Sequence, residues 1–128
     1  MRLLLDTHAL LWWFTDDPRL SVKARSLIGD ANNDILISAA CAWEIATKHR
    51  LGKLEEAADA VMRFEELMAA DGFSHLPVSY RHSLRAGTYH ATHRDPFDRM
   101  LAAQSEIESL PLITLDPAFK QFEITTIW

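Results

Sequence analysis

The sequence predicts one α/β/α domain over residues 1–128, with a mainly parallel sheet covered by helices on both faces. Short apolar runs of strand length recur along the chain, and helical patterns fill the gaps between them. Strands that alternate with helices of this length imply right-handed crossovers and buried parallel strands. A chain of 128 residues, 48% hydrophobic and 24% charged, is the size of one globular domain that can bury its own core.

The elements follow in order. "RLLLD" is a short apolar run ended by a polar residue, the pattern of a buried strand, and "ILIS" (35–38) and "PLIT" (111–114) repeat it. "LPVS" (76–79) and "EITTI" (123–127) are weaker strand candidates. Helical spacing covers about 7–14, 21–30, 39–50, 55–70, 79–88 and 96–108, with Gly29 and Gly52 as stops. In "HRDPFDRM" (93–100), Asp95 reads as an N-cap, Pro96 as the first helical residue and Asp98 as a capping-box acid. No repeat, linker or low-complexity tract interrupts the pattern.

Composition narrows the function. The formal charge of −5 argues against a general positive field for nucleic acid, although bases gather in "KHRLGK" (48–53) and between Arg81 and Arg99. Residues 55–71 carry a solvated acidic face. No run approaches the ~18–20 apolar residues of a membrane span. "MRLLLDTHAL" is cut short by Asp6 and lacks a small-residue cleavage site, so no signal peptide is expected. A single cysteine, Cys41, fits a reducing cytoplasm and reads as a small core residue.

The acids fall in suggestive places. Asp6 follows the first strand and Asp116 follows "PLIT" by one residue. Ligands of open α/β sheets bind outside the carboxyl ends of strands, where the strand order reverses, so neighbouring strands there would place both acids in one crevice. Either acid could equally be a helix cap. Glu44 is the only acid in "SAACAWEIATK", with Ala40 and Cys41 leaving room beside it and Lys48 one turn on, either as a nearby cation or as a surface salt-bridge partner. Asp98 borders the inward stripe Phe97, Met100, Leu101, Gln104 and Ile107. Thr7 and Thr114 stand beside acids and could hydrogen-bond a carboxylate or cap a helix.

Converging carboxylates repel, and protons or metal ions must relieve them. An all-oxygen donor set favours Mg²⁺ or Mn²⁺ over zinc, and such ions serve phosphate chemistry. His90 and His93 lack the partners of a zinc site and suit RNA phosphate contact or plain exposure.

With these residues assembled, the chain resembles the PIN-domain ribonucleases, specifically the VapC-type toxins of prokaryotic toxin–antitoxin pairs. The resemblance rests on "LLLDTHALLWW", "ISAACAWEIATKHRLGKL", "HRDPFDRMLAAQ" and "LPLITLDPAF", which run in family order across nearly the whole length. It implies a five-stranded sheet of order 3-2-1-4-5 and Mg²⁺- or Mn²⁺-dependent endonucleolysis of RNA by metal-activated water. It also implies a cognate antitoxin and, as is usual in the family, a homodimer. The family's acidic site falls on Asp6, Glu44, Asp98 and Asp116, and its strand-end hydroxyl on Thr114, with Thr7 as a second candidate. Asp95 is left between cap and supporting acid.

On this reading the four acids hold the metal, and Lys48 or Arg99 offsets charge that grows on the phosphate. The alternative is a non-catalytic PIN-like module that binds RNA or protein. A phosphohydrolase site fits less well, because "DTHAL" has no second acid two residues on; a receiver domain also lacks its late-strand lysine. "LLWWF" (10–14) is apolar on every side of a helix, so it is either wholly buried or partly an interface for a second copy or an antitoxin, with Trp128 a weaker candidate.

Overall fold

A computed structural model describes residues 1–128. Its sheet has five parallel strands in the order β3-β2-β1-β4-β5, formed by β1 (Arg2–Leu5), β2 (Asp34–Ser38), β3 (Ser74–Leu76), β4 (Leu112–Ile113) and β5 (Thr126–Ile127). Seven helices surround it: α1 (Thr7–Phe14), α2 (Val22–Gly29), α3 (Ala39–Arg50), α4 (Ala58–Met62), α5 (Phe64–Ala70), α6 (Tyr80–Thr88) and α7 (Pro96–Glu108). The predicted fold class and strand order hold. No helix is long and apolar enough to cross a membrane.

β1 is central because it can be. Leu3, Leu4 and Leu5 present apolar side chains to both faces, and all three are fully buried. Leu4 pairs with Leu36 on one side and Leu112 on the other, which sets the register of the whole sheet. The chain builds outward from β1 to β2 and β3, then returns to place β4 on the opposite side. The order therefore reverses between β1 and β4, and a crevice opens at their carboxyl ends.

Three sequence expectations shift. The third strand lies at 74–76 rather than 76–79, since Pro77 has no N–H to give to the ladder. The last strand narrows to Thr126–Ile127. The helix expected over 55–70 breaks into a 3₁₀ turn (Glu55–Ala57), α4 and α5, with Arg63 at φ −127° and ψ 26° between the two α-helices. No glycine or proline marks this break. It lets Ala57 and Ala60 pack near α3, while Phe64 meets the Phe14 ring edge-on and Met68 enters the core.

The run 10–14 is covered largely from within the chain. Trp12 is buried with Trp128 edge-on at 5.8 Å, Trp13 packs against Phe73, and Phe14 lies between Phe64 and Phe73. Cys41 is buried as expected, with its thiol near the Leu5 carbonyl oxygen.

Candidate active site

The ends of β1, β2 and β4 deliver the pieces of the crevice. β1 stops at Asp6, whose Oδ1 accepts from the Ala9 amide at 2.8 Å and so caps α1. β4 leads into Thr114, whose hydroxyl donates to Asp6 Oδ2 at 2.5 Å and itself accepts from the Asp116 amide at 3.0 Å. Asp116 caps the following 3₁₀ turn through the Ala118 amide and remains exposed. Capping and site-building are therefore not alternatives here: one carboxylate oxygen of Asp6 closes the helix while the other faces across the sheet.

Ser38 ends β2 and caps α3 through the Ala40 amide. This starts α3 in the phase that turns Ala40, Cys41, Glu44 and Ile45 inward, all at most 4% exposed. The Thr7 hydroxyl donates to Glu44 Oε1 at 2.5 Å, and the Lys48 ammonium pairs with Glu44 Oε2 one turn on. The pair with Lys48 that the sequence offered is present, but the carboxylate lies below the surface rather than on it.

Asp95 caps α7 by accepting from the amides of Phe97 and Asp98 at 2.9 and 3.0 Å. Its neighbour Asp98 is then free to face the crevice, where its Oδ2 meets His93 Nε2 at 2.8 Å.

Electrostatics tie these groups into one site. Burial pushes the Asp6 carboxyl up to about 6; Thr114 and the Ala9 amide pull it back, and the charges of Glu44 and Asp116 add to the rise. Burial likewise pushes Asp98 up to about 6, opposed by His93 and reinforced by Asp95 and Glu44. Burial works against the charge on Lys48, yet Glu44, with Asp95 and Asp98 behind it, raises its pKa. Glu44 thus lies within electrostatic reach of both Asp6 and Asp98, and Asp6 within reach of Asp116.

The donor set fits a hard divalent cation: every donor is a carboxylate oxygen, and the Asp6 and Asp98 carboxyls are held above their ordinary range chiefly by lack of solvent, with neighbouring acids, Glu44 among them, adding to the rise. The shell is not closed, since no three His, Cys, Asp or Glu side chains stand close enough to grip one ion. Glu44 and Asp98 are turned instead toward Lys48 and His93.

Two expectations need correction. Arg99 does not face the crevice as a spare cation; its guanidinium donates to the carbonyls of Ala86, Tyr89, Ala91 and His93. His93 is neither plain surface nor a free phosphate contact, because it is bound to Asp98. His90 is exposed. Sequence reasoning also passed over Trp43, which is 64% exposed and meets the Phe97 ring edge-on at 4.7 Å. The two rings line a groove of about 550 Å³ with Val78, Ala86, Arg94 and Met100. The available signal was position: Trp43 and Phe97 each directly precede a site acid.

The sequence pattern of the PIN domain matches residues 3–124. The chain belongs to the PIN domain family. This PIN domain is 40% identical over 70 residues to Ribonuclease VapC16 of Mycobacterium tuberculosis (strain ATCC 25618 / H37Rv). That stretch makes up 52% of the chain and 50% of the relative, so the match spans about half the length of the curated protein. Among solved structures, the PIN domain is similar to a chain of VapBC2 from Rickettsia felis bound to a DNA fragment from their promoter. The TM-score is 0.69 at 15% identity, covering 100% of this chain and 99% of that one. It is also similar to a chain of FitAcB from Neisseria gonorrhoeae, with a TM-score of 0.67 at 18% identity, covering 100% and 97%. At such identities the likeness speaks to the fold alone.

Proposed function

We propose that this PIN domain is an endoribonuclease dependent on Mg²⁺ or Mn²⁺, acting as the toxin of a toxin–antitoxin pair. The observation that carries the reading is the gathering of Asp6, Glu44 and Asp116 at the crevice beside β1 and β4, with Asp98 facing Glu44 from α7. The similarity to Ribonuclease VapC16 supports RNA as the substrate, and the fold shared with VapBC and FitAcB chains supports an antitoxin partner. The uncovered groove beside Trp43, with Tyr80 and Leu84 exposed on α6, supports a protein partner or a second copy of the chain.

In this mechanism Asp6, Glu44, Asp98 and Asp116 would hold the cation. When bound, Mg²⁺ or Mn²⁺ supplies Lewis acidity toward a phosphate oxygen and toward water. Thr114 and Thr7 hold Asp6 Oδ2 and Glu44 Oε1, which fixes the planes of the two carboxylates. Lys48 lies within the field of Asp95 and Asp98 as well as Glu44, and its ammonium offsets negative charge on the phosphodiester.

A non-catalytic module is the second reading, favoured by the pairing of Glu44 and Asp98 with Lys48 and His93 rather than around a closed shell. One assay separates the two. Purified, antitoxin-free protein is incubated with total cellular RNA and Mg²⁺, and cleavage ends are mapped beside an Asp98→Asn control. Cuts present in the first and missing in the second support the nuclease; identical RNA in both supports the binding module.

A further inference from the structure

The connector between α6 and α7 has no regular structure, yet it delivers a side chain to the crevice. Arg99, one turn into α7, explains how. Its Nε donates to the Ala86 carbonyl at 2.8 Å, one Nη to Tyr89 at 2.7 Å, and the other to Ala91 at 3.1 Å and His93 at 2.9 Å. Ala86 lies in the last turn of α6, where carbonyls lack helical partners, and the other three lie in the connector. A planar fork with five N–H groups can satisfy four carbonyls at once; an ammonium with three cannot. From the far side, Gln121 Oε1 accepts from the Thr92 hydroxyl and from the His93 amide.

The connector held this way turns the His93 ring back onto Asp98, with Nε2 2.8 Å from Oδ2 and the ring edge-on to Phe122. Where Asp98 is ionised it can only accept, and the contact then places a ring proton on Nε2. One oxygen of Asp98 is thereby committed and its plane fixed, which leaves the other oxygen aimed by default. Neither Arg99 nor His93 belongs to the acidic set.

We propose that Arg99 and His93 form one positioning device for the Asp98 carboxylate, with Arg99 acting through the connector and His93 by direct contact. This rests on the nuclease reading above. Hydrogen bonds that orient a ligating carboxylate or imidazole are worth roughly 10–100-fold in metal affinity.

The test measures Mn²⁺ affinity and Mn²⁺-dependent RNA cleavage separately in wild type, His93→Ala, His93→Gln and Arg99→Lys, well below each melting temperature. His93→Ala should lose on the order of 10–100-fold in Mn²⁺ affinity with its circular dichroism unchanged. His93→Gln keeps a donor at comparable reach and should recover most of it. Arg99→Lys should weaken Mn²⁺ binding and abolish the slowly exchanging Nε2–H signal of His93 in nitrogen-15 spectra. A purely structural role would lower the melting temperatures and leave Mn²⁺ affinity untouched, which overturns the proposal. If Arg99→Lys does not fold, the wild-type spectrum decides its part: a freely rotating Arg99 guanidinium, with no protected N–H, removes it from the device. Wild-type protein that neither binds Mn²⁺ nor cuts RNA sinks the nuclease reading and this inference with it. An active wild type with an unchanged His93→Ala sinks this inference alone.

Discussion

The Thr114 hydroxyl donates to Asp6 Oδ2 at 2.5 Å, joining two residues that stand 108 positions apart in the chain. β1 and β4 are neighbours only because the sheet order reverses between them, and this contact closes the reversal at its carboxyl end. Thr114→Val keeps the shape and removes the donor, leaving a buried carboxylate oxygen short of a partner. A loss of about 1–3 kcal/mol is expected in urea unfolding at pH 8, with Thr114→Ser near wild type. Equal stability of all three would show that the contact carries nothing.

Asp6 also sets a pH dependence. Its folded pKa of about 6 lies above the ordinary 3.8, so the folded state binds the proton more tightly than the unfolded chain. The stabilising contribution of the proton is complete below pH 3.8 and is lost as pH rises through about 6. Metal-free protein should therefore lose up to about 3 kcal/mol from this group between pH 4 and pH 7.5, at 1.36 kcal/mol per pKa unit. Asp6→Asn should remove that slope and be the more stable protein at pH 8. Parallel stability–pH curves for the two would refute the assignment.

Glu44 and Lys48 should behave as a pair. Lys48→Met strands a buried carboxylate and should cost about 1–3 kcal/mol, less than the ~3–5 of a fully buried pair because the lysine is partly exposed. Adding Glu44→Gln to Lys48→Met should restore much of the loss. Additive effects in that double-mutant cycle would show the two residues to be uncoupled.

Divalent metal should stabilise the fold through the same acids. Adding Mn²⁺ at 100 times its dissociation constant is expected to raise stability by about 2.7 kcal/mol, and chelator should reverse it. Asp98→Asn should abolish cleavage, leave circular dichroism unchanged and reduce the shift. A full Mn²⁺ shift in this variant would place the ion elsewhere.

Much of this was legible in the chain. "RLLLD" and "ILIS" each hold three consecutive apolar residues closed by a polar one, the pattern of a strand buried on both faces, and their alternation with helical patterns pointed to α/β with a parallel sheet. The cap at Asp95 was readable from Pro96 and the helix after it. The break at Arg63 was not, because nothing local interrupts the helical pattern over 55–70; the packing of Ala60 and Met68 on different neighbours imposes it. Nor was the tie between His93 and Asp98 legible, since it depends on a connector shaped by Arg99.

By itself, the sequence determined the fold class and the Asp95 cap, which are written in local patterns of residues, and it singled out four acids as candidates. Only the tertiary structure decided which polar groups face those acids. Hydrogen-bond partners of buried carboxylates are chosen by strand order and loop path, and those bring Thr114 to Asp6, Thr7 to Glu44 and His93 to Asp98.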